Sequence, residues 1–266
     1  MHRDLHGQRV LITGASSGIG RCLAEQAAAG GARVALAART ADKLQELARE
    51  LTGRGANVLA VPVDVTSQTD REHLFEMVRE HFGGLDVLVN NAGIASFGHF
   101  ATSSEEILRK IMEVNFFAPA ELIRQAVPIM VKGQRPAIVN VASMCGRRGL
   151  PAWTEYSASK FALCGLTEAL RGELARFDID ILLVLPGLTK SDLPRHMLRN
   201  EGRMKIDFAK GMAPESVAAG ILRAMARNRT ETVLGREARW ILRINRFFPR
   251  MVERLMARKV RTLYAE

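Results

Sequence analysis

Apolar residues along the chain alternate between short continuous runs and longer stretches with helical spacing. The runs predict seven strands, at residues 8–13, 32–38, 57–63, 85–90, 136–142, 179–185 and 231–234. Because the runs lack clean alternation of apolar and polar residues, we expect strands buried on both faces, as in a parallel sheet. Stretches between them predict helices, for example Asp42 to Leu51, Thr69 to His81 and Ser104 to Lys132. This order predicts an α/β fold built on a doubly wound parallel sheet.

The pattern predicts one domain with an additional helical tail. The 266 residues are 47% hydrophobic, enough for one sizeable core, and no linker, low-complexity segment or internal repeat interrupts the alternation. We expect residues 1–235 to form the domain and residues 236–266 to form the tail. Residues 188–213 predict a lid over a binding site, with apolar side chains at Leu193, Met197, Leu198, Met204, Ile206 and Phe208.

A glycine-rich turn, Thr13 through Gly20, follows the first predicted strand and precedes a helical stretch from Arg21 to Ala29. Gly14 can make the tight turn, Gly18 allows backbone to approach a pyrophosphate, and Gly20 lets the helix pack closely on the strand. Strand, turn and helix together predict a Rossmann-type dinucleotide-binding site. The alternative is a generic strand-to-helix turn.

Tyr156 and Lys160 stand four residues apart, thirteen residues after Ser143. Positions i and i+4 lie on one helix face, so the phenol and the ammonium share the same side. A nearby positive charge stabilises the phenolate, which predicts a phenol pKa lowered from its usual value of about 10. Tyr156 is therefore a candidate proton donor and acceptor. The alternative is a half-buried tyrosine beside a solvated lysine.

Two further strand ends extend this pattern, since one run closes with Asn90-Asn91-Ala92-Gly93 and another with Ala142-Ser143. From about residue 8 to about residue 235, the chain resembles a classical short-chain dehydrogenase/reductase. The positions that carry the resemblance are Thr13-Gly14 through Gly20, Asp64, Asn90 to Gly93, Asn115, Ser143, Tyr156, Lys160, Pro186 and Gly187. The resemblance implies hydride transfer between a nicotinamide cofactor and a carbonyl or secondary alcohol.

The resemblance implies roles for four candidate catalytic residues. Tyr156 would exchange a proton with the substrate oxygen, while Lys160 would lower the phenol pKa and hydrogen-bond the nicotinamide ribose. Ser143 would donate a hydrogen bond to the same oxygen as charge develops. Asn115, a poor helix former inside a helical pattern, would help to hold a water that links the lysine to solvent. The alternative is a buried Asn115 that only braces backbone.

The resemblance also implies which residues hold the cofactor. Asp64 would contact the adenine amino group, and Pro186 and Gly187 would flank the nicotinamide. A hydroxyl after that pair would bind the nicotinamide amide or the pyrophosphate, and either Thr189 or Ser191 could serve. The predicted cofactor-binding residues are Gly14, Ser16, Ser17, Gly18, Ile19, Gly20, Arg39, Asp64, Val65, Asn91, Ala92, Gly93, Tyr156, Lys160, Pro186, Gly187, Thr189 and Ser191.

The end of the second predicted strand bears on the choice of cofactor. An acidic residue there would hold the adenosine ribose 2′-hydroxyl and repel a 2′-phosphate. This chain has Ala38 at that place, followed by Arg39, whose guanidinium can bind a phosphate through two hydrogen bonds. The pattern predicts NADP(H) as the preferred cofactor. NAD(H), with a merely solvated Arg39, is the alternative.

The three cysteines, Cys22, Cys145 and Cys164, are odd in number and lack metal or disulfide spacing, which predicts a reducing, cytoplasmic setting. Cys145 lacks an identifiable activating base, so we interpret it as a small apolar filler rather than a nucleophile. The six histidines show no ligand spacing, and no metal site is predicted. The sequence also predicts no membrane-spanning helix and no apolar signal-peptide core.

Positive charge is concentrated in the tail. The chain carries a net charge of +10, and residues 236–262 hold nine basic and two acidic residues, a net charge of +7. Pro249 predicts a kink or two consecutive helices. At about 100° per residue, Arg239, Arg243, Arg246, Arg250 and Arg254 take one helix face, and Leu242 falls outside the apolar face. That apolar face comprises Trp240, Ile241, Ile244, Phe247, Phe248, Met251, Val252, Leu255 and Met256.

Two interpretations of the tail remain open. A basic amphipathic helix with aromatic anchors can lie in an anionic membrane surface, which would make the protein peripheral at the inner membrane face. The tail can instead cover the protein's own pocket or a subunit partner, and we expect a homodimer or homotetramer. Nucleic-acid binding is not expected, because no nucleic-acid motif accompanies the charge.

The sequence predicts an NADP(H)-dependent oxidoreductase acting on a small-molecule carbonyl or alcohol. Leu150 and Trp153 after Ser143, together with the apolar lid, predict an apolar or amphipathic substrate. One alternative is a 3-oxoacyl-carrier-protein reductase, whose acidic carrier would be attracted to a basic surface. Another is a non-catalytic Rossmann protein that binds NADPH or docks on membranes.

Overall fold

Seven parallel strands form one sheet, in the order β3-β2-β1-β4-β5-β6-β7. The computed structural model describes residues 3–190, 193, 197–204 and 206–264. Its strands are β1 (Arg9–Thr13), β2 (Arg33–Ala38), β3 (Val58–Pro62), β4 (Val87–Asn90), β5 (Ala137–Val141), β6 (Asp180–Pro186) and β7 (Glu231–Leu234). The predicted α/β fold with a doubly wound, Rossmann-type sheet is therefore confirmed.

Helices cover both faces of this sheet. They are α1 (Gly18–Ala29), α2 (Ala41–Gly53), α3 (Gln68–Phe82), α4 (Glu105–Met112), α5 (Ala118–Met130), α6 (Thr154–Leu174), α7 (Pro214–Ala226), α8 (Arg236–Phe247) and α9 (Pro249–Tyr264). Side chains of α1, α2 and α7 build the core on one face, and those of α3, α5 and α6 build it on the other. Along β1, Val10 and Ile12 join the first core and Leu11 joins the second. Burial on both faces explains the unbroken apolar runs.

The strand order reverses between β1 and β4. From β1 the strand order continues through β2 to β3, and from β4 it continues in the opposite direction through β5 to β7. In open parallel sheets, ligands bind in the crevice at the carboxyl ends of the strands at such a point. The glycine-rich turn follows β1 and Asn91 follows β4, so both motifs lie at this crevice.

The predicted helical stretch from Ser104 to Lys132 is helical from Glu105 to Met130, but its middle has a π-helical hydrogen-bonding pattern. Helix α4 ends at Met112, and Glu113–Phe117 form a π-helical turn before α5 begins. Asn115 lies in this turn and is fully buried. A π-helical turn inserts one extra residue per turn, and such turns are frequent at functional sites. Apolar spacing in the sequence does not reveal it, because the residues on both sides keep helical periodicity.

The tail forms two helices, α8 and α9, that meet at Pro249, as the sequence predicts. Ala238 and Val252 are buried, and Ile241 and Leu242 pack against the loop that follows β5. Leu242 lies outside the apolar face of the sequence pattern and yet packs on the domain, whereas Trp240 and Phe247 of that face are exposed. Contact with the domain therefore selects a different face than apolar spacing does. None of the helices in the described residues has the length and hydropathy to span a bilayer.

Candidate active site

A cavity of about 670 Å³ lies at the carboxyl ends of the central strands. Its wall combines the loops after β1 to β6 with the segment that the sequence predicts to be a lid and with α9. The predicted site residues in this wall are Gly14, Ser16, Ser17, Gly18, Ile19, Arg39, Asp64, Val65, Asn91, Ala92, Gly93, Ser143, Tyr156, Lys160, Pro186, Gly187 and Thr189. Gly20 and Asn115 are not part of the wall, and Ser191 lies outside the described residues.

The glycine-rich turn packs directly against the loop after β4. Gly14 has a φ of +66°, and a Cβ at this position would meet the Ala92 Cα at 3.0 Å. A Cβ at Gly20 would overlap the Gly14 carbonyl oxygen, so Gly20 serves close packing. The Asn91 side-chain amide donates to the Thr13 carbonyl oxygen at 2.9 Å and ties the two loops together. Gly14 therefore keeps backbone, rather than side chain, next to the cavity, and Gly20 allows α1 to pack against this turn.

The amino terminus of α1 can receive an anion. Ser17 is its N-cap residue but makes no side-chain capping hydrogen bond, and the first turn holds no acidic residue. The first N–H groups of a helix lack intrahelical partners and carry the positive end of the helix dipole. Ser16, Gly18 and Ile19 bring this helix end into the cavity wall. These residues fit the pyrophosphate of a dinucleotide.

Basic side chains surround the cavity at the end of β2. Ala38 is buried there, and Arg39, Thr40 and Lys43 line the cavity. Lys43 was missed in the sequence analysis, although a basic residue in the first turn of the helix after Arg39 is a usable signal. Asp42 belongs to the same turn but is not among the lining residues. Two basic side chains, Arg39 and Lys43, therefore line this end of the cavity.

Asp64 is held as a carboxylate in the cavity wall. Burial acts to raise its pKa, but hydrogen bonds from Thr66 and the charges of Lys110 and Arg39 outweigh that effect and lower it. The Thr66 N–H and hydroxyl both donate to Oδ1 of Asp64, at 2.9 Å and 2.7 Å. Asp64 can therefore accept a further hydrogen bond, which suits the predicted contact with an adenine amino group.

Ser143, Tyr156 and Lys160 meet at the carboxyl end of β5. Ser143 caps a short 3₁₀ turn, where its Oγ accepts a hydrogen bond from the Cys145 N–H at 3.2 Å. Tyr156 and Lys160 lie one turn apart on α6. The Lys160 Nζ donates to the Val141 carbonyl oxygen at 3.3 Å and lies 5.7 Å from the centroid of the Tyr156 ring. The sequence spacing thus brings the three side chains together.

The pKa of Tyr156 moves opposite to the sequence prediction. Burial is the main cause and raises it, while a hydrogen bond with Ser143 lowers it by less. Burial also lowers the pKa of Lys160, to about 8. Both shifts have one cause, because a site surrounded by protein disfavours phenolate and ammonium alike. Tyr156 therefore carries its proton at neutral pH, as a proton donor must.

Asn115 braces the loop after β4. Its Oδ1 accepts from the Ile94 N–H at 2.9 Å, and its Nδ2 donates to the Ile94 carbonyl oxygen at 2.9 Å and to Ser159 Oγ at 3.0 Å. A Cβ on Gly93 would come within 3.2 Å of Asn115 Oδ1 and 3.5 Å of Lys160 Nζ. These bonds match the bracing interpretation, and the water-linked role stays a prediction.

Apolar side chains enclose the cavity beside Tyr156. The Trp153 ring is buried between Phe97 and Tyr156, with centroid distances of 5.1 Å and 5.5 Å. Leu198, which the sequence analysis assigned to the lid, is exposed. The described lid residues that line the cavity are Leu188, Thr189, Leu193, Met204, Ile206 and Phe208.

The tail completes the wall of the cavity. Met256, Lys259 and Val260 of α9 line it, and Arg148 donates to the Met256 Sδ at 3.5 Å. Sequence reasoning offered a pocket-covering tail as one interpretation but could not name these residues, because no local pattern distinguishes them. Helix α8 also lies against the loop after β6, where a Cβ on Gly187 would meet the Ala238 Cβ at 2.8 Å.

Cys145 is buried beside this site. Burial raises the pKa of its thiol, and hydrogen bonds with Ser143 and Ser157 only partly oppose that effect. A buried, protonated thiol agrees with the interpretation of Cys145 as an apolar filler. Among the residues that the structure describes, no group of three or more His, Cys, Asp or Glu side chains is arranged to hold a metal ion.

Comparison with known proteins assigns the family. Residues 8–202 match the family model for short chain dehydrogenases. An uncharacterized oxidoreductase, YxnA, of Bacillus subtilis (strain 168) is 34% identical over 96% of this chain and 72% of its own length. The ketoacyl reductase HetN of Nostoc sp. (strain PCC 7120) is 30% identical over 94% of this chain and 88% of its own length.

A solved structure has the same architecture. A short chain dehydrogenase/reductase from Burkholderia phymatum, in complex with NAD, superposes with a TM-score of 0.85 and 27% identity, over 94% of this chain and 96% of that one. The match to the family model and the identity to YxnA agree with the glycine-rich turn and the Ser143, Tyr156 and Lys160 group. The chain therefore belongs to the short-chain dehydrogenase/reductase family, whose members are oxidoreductases acting on CH–OH and C=O groups.

Proposed function

We propose that this protein is an NADP(H)-dependent reductase of apolar or amphipathic carbonyl compounds, running in reverse on secondary alcohols. One observation carries the proposal. Ser143, Tyr156 and Lys160 converge in a cavity that also has a dinucleotide-type glycine turn and an apolar wall. A nicotinamide, when bound, supplies the hydride, so the protein needs to position the substrate and provide a proton.

The side chains divide this work by their chemistry. Tyr156 gives its proton to the carbonyl oxygen, which its raised pKa supports, since the phenol is protonated at neutral pH. Ser143 donates a hydrogen bond to the same oxygen and stabilises the charge that develops there. Lys160, with a pKa of about 8, is mostly charged at neutral pH and can hold the nicotinamide ribose and stabilise the phenolate after proton transfer.

The preference for NADP(H) is supported by Arg39 and Lys43. Both side chains line the cavity beside the buried Ala38, so no carboxylate occupies the place that would bind a ribose 2′-hydroxyl. An arginine and a lysine together provide bidentate and point-charge contacts for a 2′-phosphate. We expect fluorescence titration to give a lower Kd for NADPH than for NADH. Equal values would contradict the preference.

The substrate class is supported by the lining of the cavity. Trp153, Leu193, Met204, Ile206 and Phe208 enclose the side next to Tyr156, and Met256 and Val260 of α9 add two further apolar groups. A panel of aldehydes and ketones of increasing chain length, followed through NADPH absorbance, tests this class. We expect kcat/KM to rise with apolar length. A preference for the smallest polar carbonyls would contradict it.

A 3-oxoacyl-carrier-protein reductase is the second candidate, favoured by Lys259 in the cavity wall and by the basic tail that carries it. An acidic carrier would be attracted to such a surface. The test compares an acetoacetyl carrier protein with an acetoacetyl thioester that lacks the carrier. A large, salt-sensitive preference for the carrier would favour this candidate. NADPH binding without turnover on any carbonyl would instead favour the non-catalytic alternative.

Self-association into a homodimer or homotetramer is also proposed, as is common in the family. Phe117 and Phe161 support it, because these large apolar side chains are 49% and 45% exposed in the single chain. Light scattering should give a mass of two or four chains, and Phe161→Ser should weaken the assembly. A monomeric mass for the unaltered protein would contradict the proposal.

A further inference from the structure

Six exposed apolar side chains lie close together on the tail. They are Trp240, Ile244, Phe247, Phe248, Met251 and Leu255. Among the described residues, eleven large apolar side chains are exposed, so these six form the majority and fall within sixteen consecutive positions. Phe247 is 72% exposed, and Trp240 and Phe248 are each 60% exposed. Single exposed apolar residues need no explanation, but a contiguous group marks an interaction surface.

The two helices have separate inward and outward sides. On α8, Ala238, Ile241 and Leu242 contact the domain, whereas Trp240, Ile244 and Phe247, spaced at i, i+4 and i+7, remain outside. On α9, Val252, Met256 and Val260 lie on the inward side at the same kind of spacing. The inward side already accounts for the folding of the tail. The outward apolar residues therefore need another explanation.

Arginines run beside the outward apolar residues. Arg239, Arg243 and Arg246 repeat at i, i+4 and i+7, one position away from the apolar stripe of α8, and the Arg243 guanidinium lies 5.8 Å from the Trp240 ring centroid. Arg250 and Arg254 continue the series on α9. Within the described part of the chain, none of these five has a carboxylate at ion-pair distance. Their charges remain available for a binding partner.

We propose that α8 and α9 dock the protein on an anionic lipid bilayer surface. Aromatic and aliphatic side chains would enter the boundary between headgroups and acyl chains, and the arginines would contact lipid phosphates. A second copy of the chain is a poorer occupant. A two-fold contact would bring two tails together, and residues 236–262 of each tail carry a net charge of +7. Nucleic acid would use the arginines but would leave Ile244, Met251 and Leu255 without a role.

Docking would also bring lipid close to the active site. Met256, Lys259 and Val260 of the same helix α9 line the cavity, so the element that contacts lipid is also part of the cavity wall. An apolar substrate dissolved in the bilayer could then reach the cavity without crossing much water. The docking surface itself does not depend on the proposed function, since its residues are exposed outside the cavity.

The first test is cosedimentation of the full chain with phosphatidylcholine vesicles, with and without phosphatidylserine. Each basic residue at an anionic surface contributes roughly fivefold in affinity. Replacing Arg243, Arg246 and Arg250 by Gln should therefore weaken binding on the order of a hundredfold. The matched control replaces the exposed Arg49, Arg54 and Arg79 by Gln, and its binding should stay close to that of the parent. Equal losses for both triple variants would overturn the proposal.

The second test reads insertion directly. The chain has two tryptophans, so Trp153→Phe leaves Trp240 as the reporter. Its emission should shift to shorter wavelength on anionic vesicles and be quenched by brominated acyl chains. A triple variant with Trp240→Ser, Phe247→Ser and Phe248→Ser should lose the vesicle binding that remains at high salt. The control variant Phe100→Ser, which changes an exposed aromatic residue elsewhere, should keep it.

Three further results would overturn the proposal. One is the absence of vesicle binding by the full chain at low salt. Another is a triple Trp240, Phe247 and Phe248 variant whose assembly mass changes while the unaltered protein does not bind vesicles. That result would assign the surface to contact with a second copy of the chain. The third is tight duplex DNA binding that this variant retains, again without vesicle binding. NADPH affinity, measured for every variant, verifies that the nucleotide site remains folded.

Discussion

At the site, the half-buried Tyr156 and the buried Lys160 have pKa values that are shifted in opposite directions. The pKa of the phenol is raised and that of the ammonium is lowered to about 8, so each group is biased towards its neutral form. For Tyr156 the bias favours proton donation. For Lys160 it means that the functional, charged form destabilises the folded chain at neutral pH.

Lys160→Met should therefore raise the free energy of unfolding of the cofactor-free protein at pH 7, by about 1–3 kcal/mol. The unfolded lysine has a pKa near 10.5, above the folded value of about 8. The penalty is thus fully present below pH 8 and disappears as the pH rises to about 10.5. Urea denaturation at several pH values measures the gain, which should shrink over that window. A loss of stability at pH 7, or a gain that does not depend on pH, would contradict this account.

Arg39→Ala should weaken NADPH binding far more than NADH binding. Losing one charge-assisted phosphate contact costs about 1.5–3 kcal/mol, or roughly 10- to 150-fold in Kd. Lys43→Ala should have a smaller effect in the same direction, and Ala38→Asp combined with Arg39→Ala should favour NADH. Arg54→Ala, at an exposed arginine that does not line the cavity, is the control. Equal losses for both cofactors would mean that Arg39 does not contact the 2′-phosphate.

Several elements follow directly from the sequence pattern. Seven apolar runs correspond to seven strands, and Pro249 separates α8 from α9. These predictions rest on local physical chemistry. Strands buried on both faces have continuous apolar runs, and proline lacks the N–H group that a helix interior needs. The π-helical turn at Asn115 and the orientation of Leu242 could not be predicted, because contacts distant in sequence decide them. The choice of helix face in the tail depends on which side meets the domain.

The packing of α8 on the loop after β6 gives a test of such a contact. A Cβ on Gly187 would lie 2.8 Å from the Ala238 Cβ and 3.4 Å from the Leu234 carbonyl oxygen. Gly187→Ala should destabilise the protein by about 1–3 kcal/mol, as overpacking usually does. Ala238→Gly alone should cost about 1 kcal/mol of helix propensity. Together they should cost less than the sum of the two, by at least about 0.5 kcal/mol. Additive losses in denaturation midpoints would show that the two sites are not in contact.

In the whole molecule, one cavity collects residues from nearly the full length of the chain. Gly14 lies close to its beginning and Val260 close to its end. The glycine-rich turn and the Tyr156/Lys160 pair follow from residue chemistry and spacing, and the resemblance to a known family adds the role of Ser143. It could not supply Lys43 or the three residues of α9, because the first lies just after the matched motif and the others lie beyond residue 235. The proposed preference for apolar substrates depends on this less predictable part of the wall.

In the proposed reaction, the nicotinamide hydride passes to a carbonyl carbon while Tyr156 provides the proton. The most direct measurement uses NADPH deuterated at the transferring position of C4, with the best carbonyl substrate from the panel, and mass spectrometry of the alcohol. We predict one deuterium on the carbinol carbon with the unaltered protein. Tyr156→Phe should lose nearly all turnover while its Kd for NADPH stays close to that of the parent, because only the transferable proton is removed. An alcohol without the label, or a Tyr156→Phe protein that keeps most of its kcat, would contradict the account.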